Sequence, residues 1–310
     1  MRFGLALPHY GFSTPAGEPP TFEAVAGWAR RAEALGFDSV WVSDHLFYSF
    51  ARYGADPAPI GSLEAMTTLA GLAAVTERVR LGTLVLCAAF RHPMLLARQA
   101  EVIDKISRGR LDLGLGAGWL EDEFISFGLR FGSAGERFAH LERTVEVLDT
   151  RLDGVPLWLG GKGGPRLLRL AARLGAGWNV VWRMAPDAYA AKVADVRDAC
   201  GSTGRDPSTF RLSVGCYGTI GEDEGTARAA FERGRAAFPG NAMAGETWAS
   251  WLADTLSGSP EQVLERVGAF EALGVEEVVL SPWVLPFTVM EAEQVEIFAR
   301  EVIAPLRGAA

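Results

Sequence analysis

VRLGTLVLCAAFRHPMLLARQAEVIDKISRGRLDLGLGAGW, residues 79–119, holds one full structural period of the chain. Val79–Leu86 is a short apolar run of strand length, and Leu111–Leu115 is a second. Between them Pro93–Ile106 repeats apolar residues at helical spacing, with proline in its first turn. Two apolar strands joined by a helix read as a parallel pair with a crossover.

The same period repeats in both directions. Toward the N-terminus, Arg2–Leu7 reads as a strand. Phe22–Leu35 reads as a helix, with Phe22, Val25, Trp28/Ala29, Ala32 and Leu35 on one face, Thr21 as N-cap and Gly36 as stop. SVWVSDH (39–45) is the second strand, and Leu63–Val75 the helix after it. Toward the C-terminus come helix Glu136–Leu148, strand Pro156–Leu159 and helix Pro165–Leu174. Strand Trp178–Val181, helix Pro186–Cys200 and strand Phe210–Tyr217 follow. Helix Pro260–Leu273, strand Glu277–Ser281 and a last helix Met290–Ile303, stopping before Pro305, complete the set. Eight strands, each followed by a helix, predict an α/β fold, a (β/α)8 TIM barrel. An open doubly wound sheet is the alternative, though such sheets usually carry fewer strands.

The whole of 1–310 is read as a single barrel domain with an insertion after strand seven, at 218–258. The rhythm breaks at Gly221–Gly258, where a helical piece (Thr226–Phe238) gives way to the looser GNAMAGETWASW. On the loop face of a barrel this segment reads as a lid or substrate-pocket wall; a surface excursion without function is the alternative.

Composition narrows the function. The chain is 49% hydrophobic with a formal charge of -8, which argues against nucleic acid as a partner. Cys87, Cys200 and Cys216 form no CxxC pair and suit a reducing compartment. The opening MRFGLALPHYGF lacks the basic and apolar regions of a signal peptide, and no run reaches the ~18 apolar residues of a membrane span. A cytoplasmic protein acting on a small molecule, without membrane or nucleic-acid partners, is expected.

Barrel enzymes work at the C-terminal ends of their strands, and that rule selects candidates. Strand one ends at His9, and strand two at Ser43, Asp44 and His45. Strand three leads through Thr83, Leu84 and Val85 to Arg91 and His92. Strand four ends at Gly116, Gly118 and Trp119, strand five at Gly161, Lys162, Gly163 and Gly164, and strand six at Trp182 and Arg183. His45 is the expected acid/base group, tuned by the carboxylate of Asp44. His92 is read as a cap or packing residue and His140 as structural or solvent-facing. The GGKGG turn, opening a helix, is a phosphate-cradle candidate; a plain tight turn is the alternative. Trp119, Trp182 and Trp283 either line a pocket for a flat ring or belong to the core. No metal is expected, because His9, His45, Asp44 and Glu64 lack familiar ligand spacing.

Five stretches carry a family resemblance. They are GFDSVWVSDHL, LEAMTTLAGLAAVTERVRLGTLVL, FRHPMLLARQAEVIDKISRGRLDLGLGAGWLEDEF, PLWLGGKGGPRLLRLAARLGAGWN and GSPEQVLERVGAFEALGVEEVVLSPW. With these the chain, from Met1 to about Leu306, resembles the luciferase-like flavin-dependent oxidoreductases, in their coenzyme F420-dependent branch. The resemblance implies a barrel with an insertion after strand seven and a deazaflavin ring at its mouth. It makes Asp44 and His45 the acid/base pair. It puts a cis peptide at Leu84–Val85, a bulge that presses on the ring, and the cofactor phosphate on the turn Gly161 to Gly164. His9, Thr83, Gly116, Gly118, Trp119, Trp182 and Arg183 complete the expected cofactor set, and pairing through outer helices implies a homodimer.

Three features depart from that pattern. The excursion before strand five is only DTRLDGV, and Trp119 stands where sugar-phosphate dehydrogenases of the family carry a catalytic glutamate, which speaks against a sugar phosphate. An aromatic just beyond the histidine is not clear either, since Tyr48 or Ser49 falls there. The reading is hydride transfer between coenzyme F420 and a small organic substrate. An FMN-dependent monooxygenase and a non-catalytic cofactor-binding protein are the alternatives.

Overall fold

The computed structural model describes residues 1–14, 20–56 and 58–308. Its strands are β1 (Arg2–Ala6), β2 (Ser39–Val42), β3 (Arg80–Thr83, resumed at Leu86–Cys87) and β4 (Leu111–Gly116), then β5 (Leu157–Gly160), β6 (Gly177–Trp182), β7 (Arg211–Tyr217) and β8 (Val275–Ser281). All are parallel and paired in chain order, and β8 returns to β1 with Gly4 opposite Val279. Leu81 of β3 lies opposite Leu111 of β4, so the ring of eight closes. Closure removes every strand edge, as the repeated period predicts.

Helices α1 (Phe22–Ala34), α2 (Ala65–Val75) and α3 (Pro93–Ser107) form the first part of the outer layer. Thr21 caps α1 through the Ala24 amide, and the helix turns Val25, Ala26, Ala29 and Ala32 inward. His92 caps α3 by accepting from the Met94 amide, so it is a cap. A short α4 (Glu121–Ser126) precedes α5 (Ala134–Arg151), which begins in a capping box between Ser133 and Glu136. The layer continues with α6 (Pro165–Leu174) and α7 (Pro186–Thr203), each with proline in its first turn. Between β7 and α10 (Pro260–Ala272) lie α8 (Glu224–Ala237) and α9 (Trp248–Asp254).

Four features differ from the sequence reading. A small hairpin pairs Phe47–Tyr48 with Ile60–Gly61, α4 forms where no element was read, and α9 begins within GNAMAGETWASW. The last helix does not stop before Pro305. It runs from α11 (Ala292–Ile297) through a π turn at Phe298–Ile303 into Ala304–Gly308. Pro305 sits in the first turn beyond the wider segment, where its missing N–H costs least. Among the described residues, no helix is long and apolar enough to cross a membrane.

Candidate active site

The C-terminal ends of the strands surround a cavity of about 540 Å³. Its ledge is the break in β3. Leu84 and Val85 interrupt the strand, and the peptide bond between them is cis, as the resemblance implied. A second cis bond, Val181–Trp182, carried no sequence signal. Val85 lines the cavity and packs so closely on β5 that a Cβ on Gly160 would lie 2.4 Å from its Cγ1. Only glycine fits there, and a Cβ on Gly116 of β4 would likewise lie 2.8 Å from Val85.

His45 stands on the cavity wall, but its partner is not Asp44. His45 Nδ1 lies 2.8 Å from Oε2 of Glu123, which is buried on α4. The other oxygen of Glu123 accepts from the Leu46 amide at 2.6 Å, which fixes the carboxylate. Asp44 also lines the cavity, but other groups engage its carboxylate. It accepts both Arg91 guanidinium nitrogens, at 2.6 and 2.7 Å, and the Cys87 amide at 2.9 Å. Successive residues of an extended chain project in different directions, so neighbours in sequence need not share a partner. Asp44 therefore anchors the β3 loop, and Glu123 is the carboxylate that meets the imidazole.

An aromatic box encloses His45. Trp119 and Tyr48 meet the imidazole edge-to-face, each with its ring centre 5.5 Å away. Tyr48 thus supplies the aromatic just beyond the histidine. Trp182 stacks on Tyr217 and meets Phe287 at a right angle. Phe287 holds a φ of 51°, rare for a bulky residue, while its carbonyl accepts from Ser13 Oγ at 2.6 Å. Trp283, by contrast, is core at 5% exposure.

The remaining expected residues divide. Leu84, Gly116, Gly118, Trp119, Gly161, Lys162 and Trp182 line the cavity. His9 and Thr83 lie one layer behind it. Thr83 Oγ1 donates to the Gly114 carbonyl at 2.9 Å and accepts its amide at 2.8 Å. His9 is wholly buried, and its Nε2 accepts the Ser43 amide at 3.0 Å. Burial first, and His45 second, push its pKa down to about 3, so it stays neutral. Ser43 Oγ, 3.2 Å from that nitrogen, also hydrogen-bonds the cavity-lining Tyr10 hydroxyl.

One further expectation is corrected and a second is narrowed. Arg183 does not face the cavity. Its guanidinium donates to Asp254 at 2.7 Å and Glu246 at 2.8 Å, and it lies over Trp251, because the insertion brings two carboxylates to it. In the GGKGG turn, the Gly161 amide is already spent on the Asn179 carbonyl at 3.1 Å. Gly163 and Gly164 lie beyond the cavity lining, at the start of α6, whose N-cap Gly164 offers no side-chain cap. Among the described residues, the amides of Lys162, Gly163 and Gly164 have no protein acceptor, and Lys162 Nζ has no carboxylate partner.

Glu123, Arg52 and Tyr53 complete the wall and were not singled out from sequence. The insertion, expected as a lid or wall, stands behind that wall. Phe238 packs against Tyr53 at 5.6 Å, and the Asn241 amide donates to the Tyr53 carbonyl at 3.0 Å.

A family model described as luciferase-like monooxygenase matches residues 1–154 and 134–277. The F420-dependent glucose-6-phosphate dehydrogenase of Microbacterium testaceum (strain StLB037) is 31% identical over 192 residues, covering 54% of this chain and 55% of that protein. The chain therefore spans little more than half the length of that relative. The phthiodiolone/phenolphthiodiolone dimycocerosates ketoreductase of Mycobacterium bovis (strain BCG / Pasteur 1173P2) is 28% identical over 249 residues, 68% of this chain and 63% of the relative. A solved F420-dependent secondary alcohol dehydrogenase, in complex with an F420-acetone adduct, superposes with a TM-score of 0.77 at 18% identity, covering 98% of both chains. At that identity the likeness concerns the fold.

Proposed function

The chain belongs to the luciferase-like monooxygenase family, and from that premise we propose an oxidoreductase that uses coenzyme F420 to act on a small organic carbonyl or alcohol. The observation that carries this reading is the His45–Glu123 pair, set in the wall of the cavity that Val85 and the glycine turn complete. The F420-dependent relatives support the choice of cofactor.

The residues present suit a flat ring with an anionic tail. Gly116 and Gly160 let Val85 seat closely against β4 and β5, and the ledge so formed lines the cavity together with Leu84 and Trp182. The open amides of Lys162, Gly163 and Gly164, at the positive end of α6, suit a phosphate, with the Lys162 ammonium beside them. When bound, the deazaflavin supplies the hydride donor or acceptor. The protein's own part is proton handling and orientation. Glu123 accepts from Nδ1–H, which leaves Nε2 of His45 as the nitrogen that gives or takes a proton at a substrate oxygen. Trp119 and Tyr48 hold the imidazole in place and keep water from its faces.

We read the protein as a homodimer. Met94, Leu95, Val102 and Ile106 of α3 are exposed at 41–55%, which supports a covered face. A single-copy mass by light scattering at micromolar concentration counts against it. For the cofactor, the purified chain is titrated with F420 and with FMN. Tighter binding of F420 is expected. Tighter binding of FMN transfers the reading to a monooxygenase, and tight F420 binding without turnover across carbonyl and alcohol substrates makes the chain a cofactor carrier.

A further inference from the structure

The charged groups that line the cavity are unequal. Asp44 is tied to Arg91, and Glu123 to His45 and two backbone amides. Among the described residues, Arg52 and Lys162 line the same cavity with no carboxylate partner. The mouth of a chain with a net charge of -8 therefore presents two open cations. Lys162 follows β5, while Arg52 follows β2, three strands away round a ring of eight. A phosphate at the glycine turn uses Lys162 and leaves Arg52 unmatched, next to the Trp119 that meets His45.

Arg52 is held in position. Its guanidinium lies 4.8 Å from the ring centre of Trp119 and 5.2 Å from that of Tyr53. Trp119 in turn meets His45, and Tyr53 is braced from behind by Phe238 and the Asn241 amide. The two rings locate the guanidinium, and among the described residues its N–H groups have no protein acceptor, so the planar fork is free to recognise a carboxylate in two bonds. The surrounding wall is aromatic: Tyr48, Trp119, Trp182 and Phe287. Such a wall rewards a flat apolar body and leaves the hydroxyls of a sugar without partners.

We propose that Arg52 docks a substrate carboxylate, and that the substrate is a flat, apolar or aromatic acid bearing the carbonyl or hydroxyl that reacts at His45. The proposal rests on the reading above that the His45 side of the cavity takes the substrate. The apolar body lies in the aromatic box, and the carboxylate pairs with Arg52 on the far side of Trp119.

The test is calorimetric titration of the F420-loaded protein with phenylacetate and its neutral isostere phenylacetamide. Wild type is expected to bind the acid at least about tenfold more tightly than the amide. Arg52→Gln removes that preference while holding the amide and F420 affinities within about twofold, and Arg52→Lys keeps part of it because an ammonium lacks the planar fork. Unchanged amide binding reports that the variant is folded. Equal binding of acid and amide by wild type, or no measurable binding of the acid, overturns the proposal. So does an Arg52→Gln loss shared by both ligands, and a loss of F420 affinity would assign Arg52 to the cofactor. If wild type fails to take up F420, the cofactor reading fails by itself, and the acid–amide comparison on the free protein still decides Arg52.

Discussion

At the N-terminal end of the barrel, Glu277 and Asp112 are fully buried, and each meets an arginine from a neighbouring strand. Arg2 donates to Glu277 at 2.9 Å, and Arg80 to Asp112 at 2.5 Å. Ser39 and Trp158 take up remaining carboxylate positions. At the C-terminal end, Arg52 and Lys162 have no carboxylate among the described residues, and Lys162 stands in solvent. A charge removed from water is tolerable only when paired, so the floor must be neutralised by the protein itself. Charges at the mouth keep their hydration until a ligand replaces it. The contrast separates residues that hold the fold from residues that await a partner, and mutations at the two ends should fail in different ways.

The largest effect is expected at the mouth. His45→Ala should lower kcat by roughly 10²–10⁴-fold, the usual cost of losing a general acid or base, with F420 affinity and unfolding midpoint retained. A change in kcat below about threefold would make His45 a packing residue. At the floor the expectation reverses. Arg80→Met strands the buried Asp112 carboxylate and should cost about 3–5 kcal/mol in denaturant unfolding. The surviving folded fraction should bind F420 normally. Equal stability of variant and wild type would mean that Asp112 needs no counter-charge, and the distinction between the two ends would collapse.

The strand-and-helix scaffold was more legible in the sequence than the ion pairs of the floor or the partners at the mouth. Apolar strand runs and helix caps are local signals, and they gave the eight strands with small errors at their ends. His45 was legible because it ends a strand. Glu123 was not, because it lies in an acidic turn, LEDEF, without the apolar period that marks a helix long enough to notice. Its only signal is a charged residue directly before a core residue, Phe124. Arg52 sits between two-residue strands, where no periodicity exists to read. Arg183 and Asp44 misled for one reason. Their positions at strand ends were right, but their partners, Glu246, Asp254 and Arg91, come from distant segments that one sequence does not pair.

A pH experiment sharpens the same comparison with opposite signs. His9, behind the mouth, has its pKa lowered from 6.5 to about 3 by burial. Between those values the unfolded chain binds the extra proton. The stability from neutral His9 is therefore complete above about pH 6.5 and is lost as pH falls toward 3. Glu277, at the floor, is raised above its ordinary value by burial, so the folded chain binds the extra proton there and acid favours folding. His9→Gln keeps an acceptor for the Ser43 amide and removes the titration. Unfolding measured at pH 4, 5, 6 and 7 should then lose slope by up to about 1.4 kcal/mol per pH unit relative to wild type. An unchanged slope would mean that His9 titrates in the folded chain as it does in the unfolded one.

The smallest effect is expected from the two basic residues that flank the cofactor's proposed phosphate. They look alike in sequence, each following a strand end at the mouth, but they differ in what they already hold. Arg183 is committed to Glu246 and Asp254, so Arg183→Ala should leave F420 affinity unchanged and act only on the insertion that those carboxylates anchor. Lys162 has nothing to lose but hydration. Lys162→Ala should weaken F420 by no more than about 1 kcal/mol, the ordinary worth of an exposed pair. That loss should shrink as salt rises, because the attraction acts through solvent that ions screen within about 8–10 Å near physiological strength. Affinity is read by fluorescence titration at low and high ionic strength. The largest share of the phosphate's binding then rests on the amides of Lys162, Gly163 and Gly164, which no side-chain change removes and which salt screens less. A salt-independent loss in Lys162→Ala would place the ammonium in a dry contact with the tail. A loss of similar size in Arg183→Ala would mean that the arginine leaves its carboxylates when the cofactor binds, and the line drawn here between committed and open charges would have to move.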